Sequence, residues 1–351
     1  MKEEKKLKIV LFTGYACNNN CAFCIDADKR AYPQKTTAEL LREVLRAKTR
    51  GAHILEIIGG EATIRPDFNR VVAAAKKLGI PQVSCATNGR VFADPAAARK
   101  MIRSGIDSLI FSVHGPDART HDSLTRAPGS FAQLKKGLKN LRALGFERIS
   151  GNTTVVKQNM AGLSALAKFY IKNRIRNVEY IFVDPNYGGA RNDFEGLVPR
   201  ISKAAPHMRR ALALGRAAGL DQWKARYVPL CHFKSCLGQI SEINERELFL
   251  TEHWAPDFFN KDAIGSRSRV ARKKTARCRG CRLYSACEGI WVEYLKNYGD
   301  AELKAVIPNP AKKAQGSPQS GLRTERYARN VRRGVARGKT PRAMRANYSA
   351  E

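Results

Sequence analysis

Residues 8–24 read Lys-Ile-Val-Leu-Phe-Thr-Gly-Tyr-Ala-Cys-Asn-Asn-Asn-Cys-Ala-Phe-Cys. The short, β-branched-rich run Lys8–Gly14 predicts a buried strand. The thiols Cys17, Cys21 and Cys24 follow in one loop. Thiolate is the metal-ligating form of cysteine, and short spacings let one loop wrap one centre. Three thiolates are one short of the four that close a structural zinc site or fully hold a cubane cluster. A centre with three protein ligands keeps a position open, and open positions are where metals do chemistry. A zinc site and plain buried cysteines are the blander readings of the same residues.

Outward from this loop the chain alternates. Strands are predicted at Lys8–Gly14, His53–Ile58, Gln82–Ala86, Ser108–Val113, Arg148–Val156 and Val178–Val183. Helices are predicted between them at Thr36–Arg50, Pro66–Leu78, Pro95–Arg103, Phe131–Leu144 and Ala161–Asn173. The first helix has Thr36 and Thr37 as N-cap candidates, an apolar stripe of Leu40, Leu41, Val44 and Leu45, and Gly51 as its stop. Units of roughly 25–35 residues with this alternation imply parallel βαβ connections and an α/β fold. Such sheets bind ligands at the carboxyl ends of their strands. Gly59-Gly60-Glu61, Thr87-Asn88-Gly89, Ser112, His114-Gly115 and the run Asp184–Asn192 all fall there.

With 351 residues and 43% hydrophobic content, the chain has material for one large domain or two, and global disorder is excluded. The net charge of +32 points to an acidic partner or to a generally basic surface. Nine cysteines in two groups argue for metal binding in a reducing compartment rather than for disulfides. No apolar stretch is long enough to span a membrane. The start resembles a lipoprotein signal only superficially, because its apolar run is short and Lys8 interrupts it. A cytoplasmic location with no membrane partner is the expectation.

The pattern Cys17-x3-Cys21-x2-Cys24, with Phe23 just before the last thiol, resembles the signature of the radical S-adenosylmethionine (SAM) superfamily. The resemblance covers roughly residues 8–192. It implies a partial (βα)6 TIM-like barrel of parallel strands. It implies that Cys17, Cys21 and Cys24 hold a [4Fe–4S] cluster whose fourth iron binds SAM. Phe23 then sits where the family places an aromatic beside the adenine. Gly59, Gly60 and Glu61 are similar to the family's Gly-Gly-Glu motif, where glycines allow close approach and the carboxylate accepts from the SAM ammonium. Asn88 and Ser112 fall where the family places groups near the methionine carboxylate and ribose, with turn and cap chemistry as the alternative. Asn186–Asn192 resembles the loop that contacts adenine. The implied activity is reductive cleavage of SAM to a 5′-deoxyadenosyl radical that removes a substrate hydrogen atom. The implied electron donor is an acidic flavodoxin or ferredoxin.

Beyond Leu197 the alternation stops, and a long basic helix is predicted at Ile201–Ala218. Cys231, Cys278, Cys281 and Cys287 together make the four ligands of a closed cubane. This smaller Cys-rich region resembles the SPASM or twitch extensions that carry an auxiliary [4Fe–4S] cluster in radical SAM enzymes. Cys236 is an alternate ligand or free, and a zinc site using His232 is the competing reading. The expected organisation is a radical SAM core at 8–196, an auxiliary-cluster region at 197–308 and a basic tail at 309–351, disordered alone or an interaction arm. Eleven Lys/Arg stand against two Glu in 311–351, and eight Lys/Arg against no acid in Arg267–Arg282. Cys85 reads as a core residue, and His114, His121 and Asp122 read as solvated loop residues. Tyr15 and Tyr187 are relay candidates that nothing separates from packing aromatics.

The expected substrate is a peptide, a protein or a small biosynthetic molecule. The strand start within the first ten residues predicts no separate leader-binding domain. An RNA-modifying enzyme that uses the basic tail is the lesser alternative, since no RNA-binding motif is present. A non-enzymatic iron–sulfur or zinc-binding protein is the alternative from a different class.

Overall fold

Lys6–Phe12 (β1) lies near one edge of a nine-stranded sheet in the computed structural model, which describes residues 4–307. Next come Ile54–Ile58 (β2), Gln82–Thr87 (β3), Ser108–Ser112 (β4), Ile149–Val155 (β5) and Val178–Phe182 (β6). Each pairs in parallel with its predecessor, with registers such as Val10 opposite Glu56 and Phe111 opposite Gly151. The six expected strands and the helices between them are therefore present, and the architecture is the partial TIM-like barrel. Two further strands extend it. Lys224–Arg226 (β7) adds to β6, and Phe249–Trp254 (β8) adds in parallel to the free side of β1, followed by the short antiparallel Phe259–Asn260 (β9). Sequence reading missed β8 because Thr251, Glu252 and His253 break its apolar run. Residues up to Ile307 form one compact unit, and the expected basic tail lies outside the described residues.

The strands bury one face and leave the other open. Leu109 and Phe111 of β4, Ile149 and Val155 of β5, and Val178, Tyr180 and Phe182 of β6 are buried. They share one core with helix residues such as Leu40, Val72, Met101, Leu134 and Leu166. Ser108, Ile110, Ser112, Ser150, Asn152, Thr154, Glu179 and Ile181 alternate with the buried set and are only half-buried. A period of two places them together on the uncovered inner face. Low on that face the charges are paired. Lys8 meets Glu56 at 2.8 Å, Arg226 meets Glu179 at 2.9 Å and Glu245 at 3.2 Å, and Arg267 meets Glu245 at 3.1 Å. Pairing is what lets ionised groups leave water. Burial alone raises the Glu245 carboxyl, but Arg226 and Arg267 win and hold it down at about 2.

Helix Thr37–Thr49 shows how periodicity is refined by packing. Thr36 caps it, accepting from Glu39 N while Glu39 accepts from Thr36 N, a reciprocal capping box. The buried stripe is Leu40, Val44 and Ala47, the i, i+4, i+7 positions of one face. Leu45, assigned to the stripe from sequence, is 51% exposed because it lies one residue past Val44, around the helix from that face. We predict that Leu40→Ala destabilises the protein by about 2–5 kcal/mol, whereas Leu45→Ala costs less than about 1 kcal/mol. Denaturant unfolding of the full chain measures both, and equal effects would contradict the assigned face.

Candidate functional site

The loop after β1 is fixed from three sides. Ala16 O accepts from Glu61 N at 2.8 Å, Thr125 O and Leu124 O accept from Asn20 N and Ala22 N at 2.8 and 2.9 Å, and Cys24 O accepts from Gly189 N at 2.8 Å. Two glycine pairs make this close approach sterically feasible. Gly60 has φ +52°, and a Cβ there would overlap Ala16 O. On the opposite side a Cβ at Gly189 would overlap Ala22 O, and one at Gly188 would overlap Cys24 O. The sequence pattern reads Gly59-Gly60 as room for approach to a ligand. The neighbour of this pair in the structure is the backbone of the cysteine loop. The 186–192 segment, expected at an adenine, supplies the second clamp.

Cys17, Cys21 and Cys24 are half-buried on this clamped loop. Asn19 N donates to Cys17 Sγ at 3.4 Å, and Arg30 Nη2 stands 3.9 Å from Cys24 Sγ. Burial pushes all three thiols up, and burial together with the neighbouring thiols brings Cys21 to about 12. A cationic iron centre relieves both effects, because it keeps coordinated thiols deprotonated. Among the described residues no three His, Cys, Asp or Glu side chains close on a single metal ion. A cubane does not require that, since each thiolate takes a separate iron. The donor set therefore fits a cluster held at three corners.

Glu61, at the end of β2, is 3% exposed. Its Oε1 accepts from Thr63 N at 3.2 Å, Thr63 Oγ1 at 2.5 Å and Thr87 Oγ1 at 2.8 Å, and its Oε2 accepts from Asn88 N at 2.5 Å. Burial raises this carboxyl, while the hydrogen bonds pull it back. The carboxylate thus ties β2 to β3, and only Oε2 keeps accepting capacity. Asn88 Nδ2 donates to Asn18 Oδ1 at 2.6 Å. Arg90 donates to Asn18 O and, at 2.7 Å, to Asn19 Oδ1. Arg90 was not singled out in the sequence, although it directly follows Thr87-Asn88-Gly89.

Phe23 is buried, its ring edge-on to His114 with centroids 4.7 Å apart. Ser112 ends β4 half-buried on the open face. His114 and His121 are buried, not solvated, and a helix at Ala118–Thr125 replaces the expected loop. His121 Nδ1 accepts from His114 N at 3.1 Å, and His114 Nδ1 accepts from Thr154 N. Burial holds both rings neutral, at about 3 and about 4. Asp122 caps the next helix, accepting from Gly129 N, Ser130 Oγ and Phe131 N. Cys85 is fully buried in β3, as expected. Tyr15 is buried and donates to Asp257, whose other oxygen meets Lys29 at 2.8 Å, whereas Tyr187 is 55% exposed. Asp184, which follows β6, is raised to about 6 by burial, and Asn186 beside it bonds Ala271 O and Glu293 N.

The second group of thiols also converges. Cys231, Cys278, Cys281 and Cys287 line one recess with Lys274, Tyr284 and Lys304. Gly289 N and Leu230 N donate to Cys287 Sγ at 3.3 and 3.5 Å, and Val306 N donates to Cys281 Sγ at 3.3 Å. Cys236 stands outside the recess and donates to Phe233 O. His232, the competing ligand, is bonded to Glu302 O at 2.8 Å and does not line it.

A parallel barrel sheet whose first strand leads into a clamped three-thiol loop defines a class, that of α/β barrel proteins with a site at the carboxyl ends of the strands. Residues 11–170 match the model of the Radical SAM superfamily. That superfamily implies a [4Fe–4S] cluster and SAM. The chain is similar to the AdoMet-dependent heme synthase of Methanosarcina barkeri, with 30% identity over 50% of this chain and 50% of that one. It is similar to the mycofactocin maturase MftC of Mycobacterium ulcerans, with 31% identity over 44% and 41%. It spans about half the length of the curated relatives it matches. In fold it is similar to Streptococcus suis SuiB bound to S-adenosylmethionine, with a TM-score of 0.61 and 16% identity over 84% of this chain and 75% of that one. No helix among the described residues is long and apolar enough to cross a membrane.

Two outcomes follow from this geometry. Gly60→Ala and Gly189→Ala each displace the cysteine loop, and iron retained after anaerobic reconstitution should fall at least about threefold in each, against no change in Gly238→Ala, where a Cβ meets nothing and φ is not left-handed. Retention of full iron in both would refute the clamp. The neutral histidines give a pH dependence. Their folded values lie below the unfolded value of about 6.5, so their contribution is present above that pH and is lost as pH falls towards about 4. Melting temperature should decline across this window, and His121→Asn should flatten the decline.

Proposed function

We propose that the protein is a radical SAM enzyme, with Cys17, Cys21 and Cys24 as the cluster ligands. The observation that carries this reading is the clamped three-thiol loop at the carboxyl end of β1, within the family match. When bound, the cluster supplies the electron that cleaves SAM to a 5′-deoxyadenosyl radical, which takes a hydrogen atom from the substrate. The chain's own residues position and shield. Glu61 Oε2 is the acceptor left for the SAM ammonium, Gly59 and Gly60 leave room at the strand end, and Asn88 and Ser112 face the remaining polar groups of SAM. Phe23 packs behind the loop near the adenine. Side chains of the inner face, including Asn152 and Thr154, offer the substrate a polar surface shielded from bulk water.

The substrate in this reading is a peptide, a protein or a small biosynthetic molecule. The breadth of that range is supported by the relatives, whose names include a mycofactocin maturase and a heme synthase. Cys231, Cys278, Cys281 and Cys287 hold an auxiliary [4Fe–4S] cluster, supported by their shared recess and by backbone N–H groups aimed at their sulfurs. The core is 8–196, the auxiliary region 197–308 and the tail 309–351. The electron donor is an acidic flavodoxin or ferredoxin.

Anaerobically reconstituted protein should hold about eight irons, and replacing Cys17, Cys21 and Cys24 together by Ala should lower this to about four. The same replacement should abolish 5′-deoxyadenosine formation under dithionite. Deoxyadenosine formation that survives it would refute the site, and zinc instead of iron in the triple variant would refute the auxiliary cluster.

A further inference from the structure

The cations around the second recess are not all used by the fold. Of the eight in Arg267–Arg282, Arg267 and Arg272 are engaged internally by Glu245, Glu288 and Glu242, Arg269 by Asp262, and Arg277 by Asp300. Lys273, Lys274, Arg279 and Arg282 have no ion pair among the described residues, and neither has Lys304 across the recess. Lys273, Arg279, Arg282 and Lys304 are exposed. Lys274 bonds Tyr284 O at 2.7 Å and sits over its ring at 4.1 Å, and Tyr284 is 49% exposed on the recess wall. Lys274, Lys304 and the exposed Tyr284 thus line the recess of the four thiols, and Lys273, Arg279 and Arg282, next to its residues in the chain, add three exposed cations without a carboxylate partner among the described residues.

The face around the first cysteine loop differs. Arg119, Arg126 and Arg191 are exposed there, but Asp117, Asp122, Asp193 and Glu195 are interleaved with them in sequence. A surface of one sign steers an oppositely charged partner, and a mixed one does so weakly. Aromatic and arginine side chains inside a charged rim are also the composition favoured at protein interfaces. Sequence-tolerant RNA binding uses a row of stacking rings along a groove, whereas this patch offers, among the described residues, Tyr284 as its one exposed ring.

We infer that an acidic redox protein of the flavodoxin or ferredoxin class docks on this face, over the recess of Cys231, Cys278, Cys281 and Cys287, rather than at the loop of Cys17–Cys24. The inference rests on reading that recess as a cluster site. The test titrates the full-length, anaerobically reconstituted chain with a purified bacterial flavodoxin and reads the dissociation constant at several salt concentrations. The variant Lys273→Glu/Arg279→Glu/Arg282→Glu should bind at least about tenfold more weakly at low salt and lose most of the salt dependence. The variant Arg119→Glu/Arg126→Glu/Arg191→Glu should bind as the unaltered chain does. The opposite pattern, or no effect of either variant, overturns the docking face. Tighter binding of a mixed-sequence RNA oligonucleotide, lost on the first variant, overturns the choice of partner. Iron is counted on the same preparations. About four irons instead of about eight refutes the second cluster itself, and about eight irons with unaltered flavodoxin binding in the first variant refutes the docking alone.

Discussion

The peptide backbone around Cys17–Cys24 lies between two glycine pairs, and the rest of the site depends on that contact. Gly59-Gly60 ends β2 on one side, and Gly188-Gly189 follows β6 on the other. Neither Gly60 nor Gly189 has room for a methyl group, because carbonyl oxygens of the loop occupy that space. Backbone hydrogen bonds from Glu61 and Gly189 then fix the height of the loop over the strand ends. Preorganisation of this kind is what a three-point ligand set needs. A loop free to move would lose conformational entropy on binding iron and would hold the open corner in no defined direction. Strands far apart in the sheet order, β2 and β6, thus converge on one eight-residue loop only because the sheet curls.

A second layer holds the first. Glu61 gathers four hydrogen bonds from Thr63, Thr87 and Asn88, Asn88 reaches Asn18, and Arg90 grips the carbonyl and side chain of the asparagine run. These contacts join β2, β3 and the cysteine loop. A carboxylate buried this deeply would be costly without its donors. It therefore positions the loop before it meets any ligand, and one oxygen alone remains for that purpose. The open inner face continues from there along β4, β5 and β6, with small polar side chains above and paired charges beneath.

Much of this was legible in the sequence, for identifiable reasons. The six alternating units stand out because parallel strands are short apolar runs and their helices carry clear caps, as at Thr36 and Glu39. The three thiols stand out because little else needs cysteines at that spacing. The four thiols of the recess could be counted but not paired, and only the fold separates Cys231 from Cys236. Leu45 was misassigned because spacing marks a stripe several residues wide while packing selects one line within it. β8 was missed because its inner-face residues are polar, as suits an uncovered surface. His114 and His121 looked like solvated loop residues because their burial comes from the helix at Ala118–Thr125, whose Arg-Thr-His-Asp-Ser composition carries little apolar periodicity. Arg90 and the Gly188-Gly189 clamp act across long separations, and no local signal reports them.

The central claim is that the loop of Cys17, Cys21 and Cys24 holds a cluster with one iron open to SAM. Electron paramagnetic resonance of the dithionite-reduced, full-length protein tests it most directly, recorded with and without SAM. The account predicts a reduced [4Fe–4S] signal that changes on addition of SAM, and no such change in the protein with all three cysteines replaced by Ala. A spectrum indifferent to SAM, or a SAM-dependent change that persists without these three thiols, would contradict it.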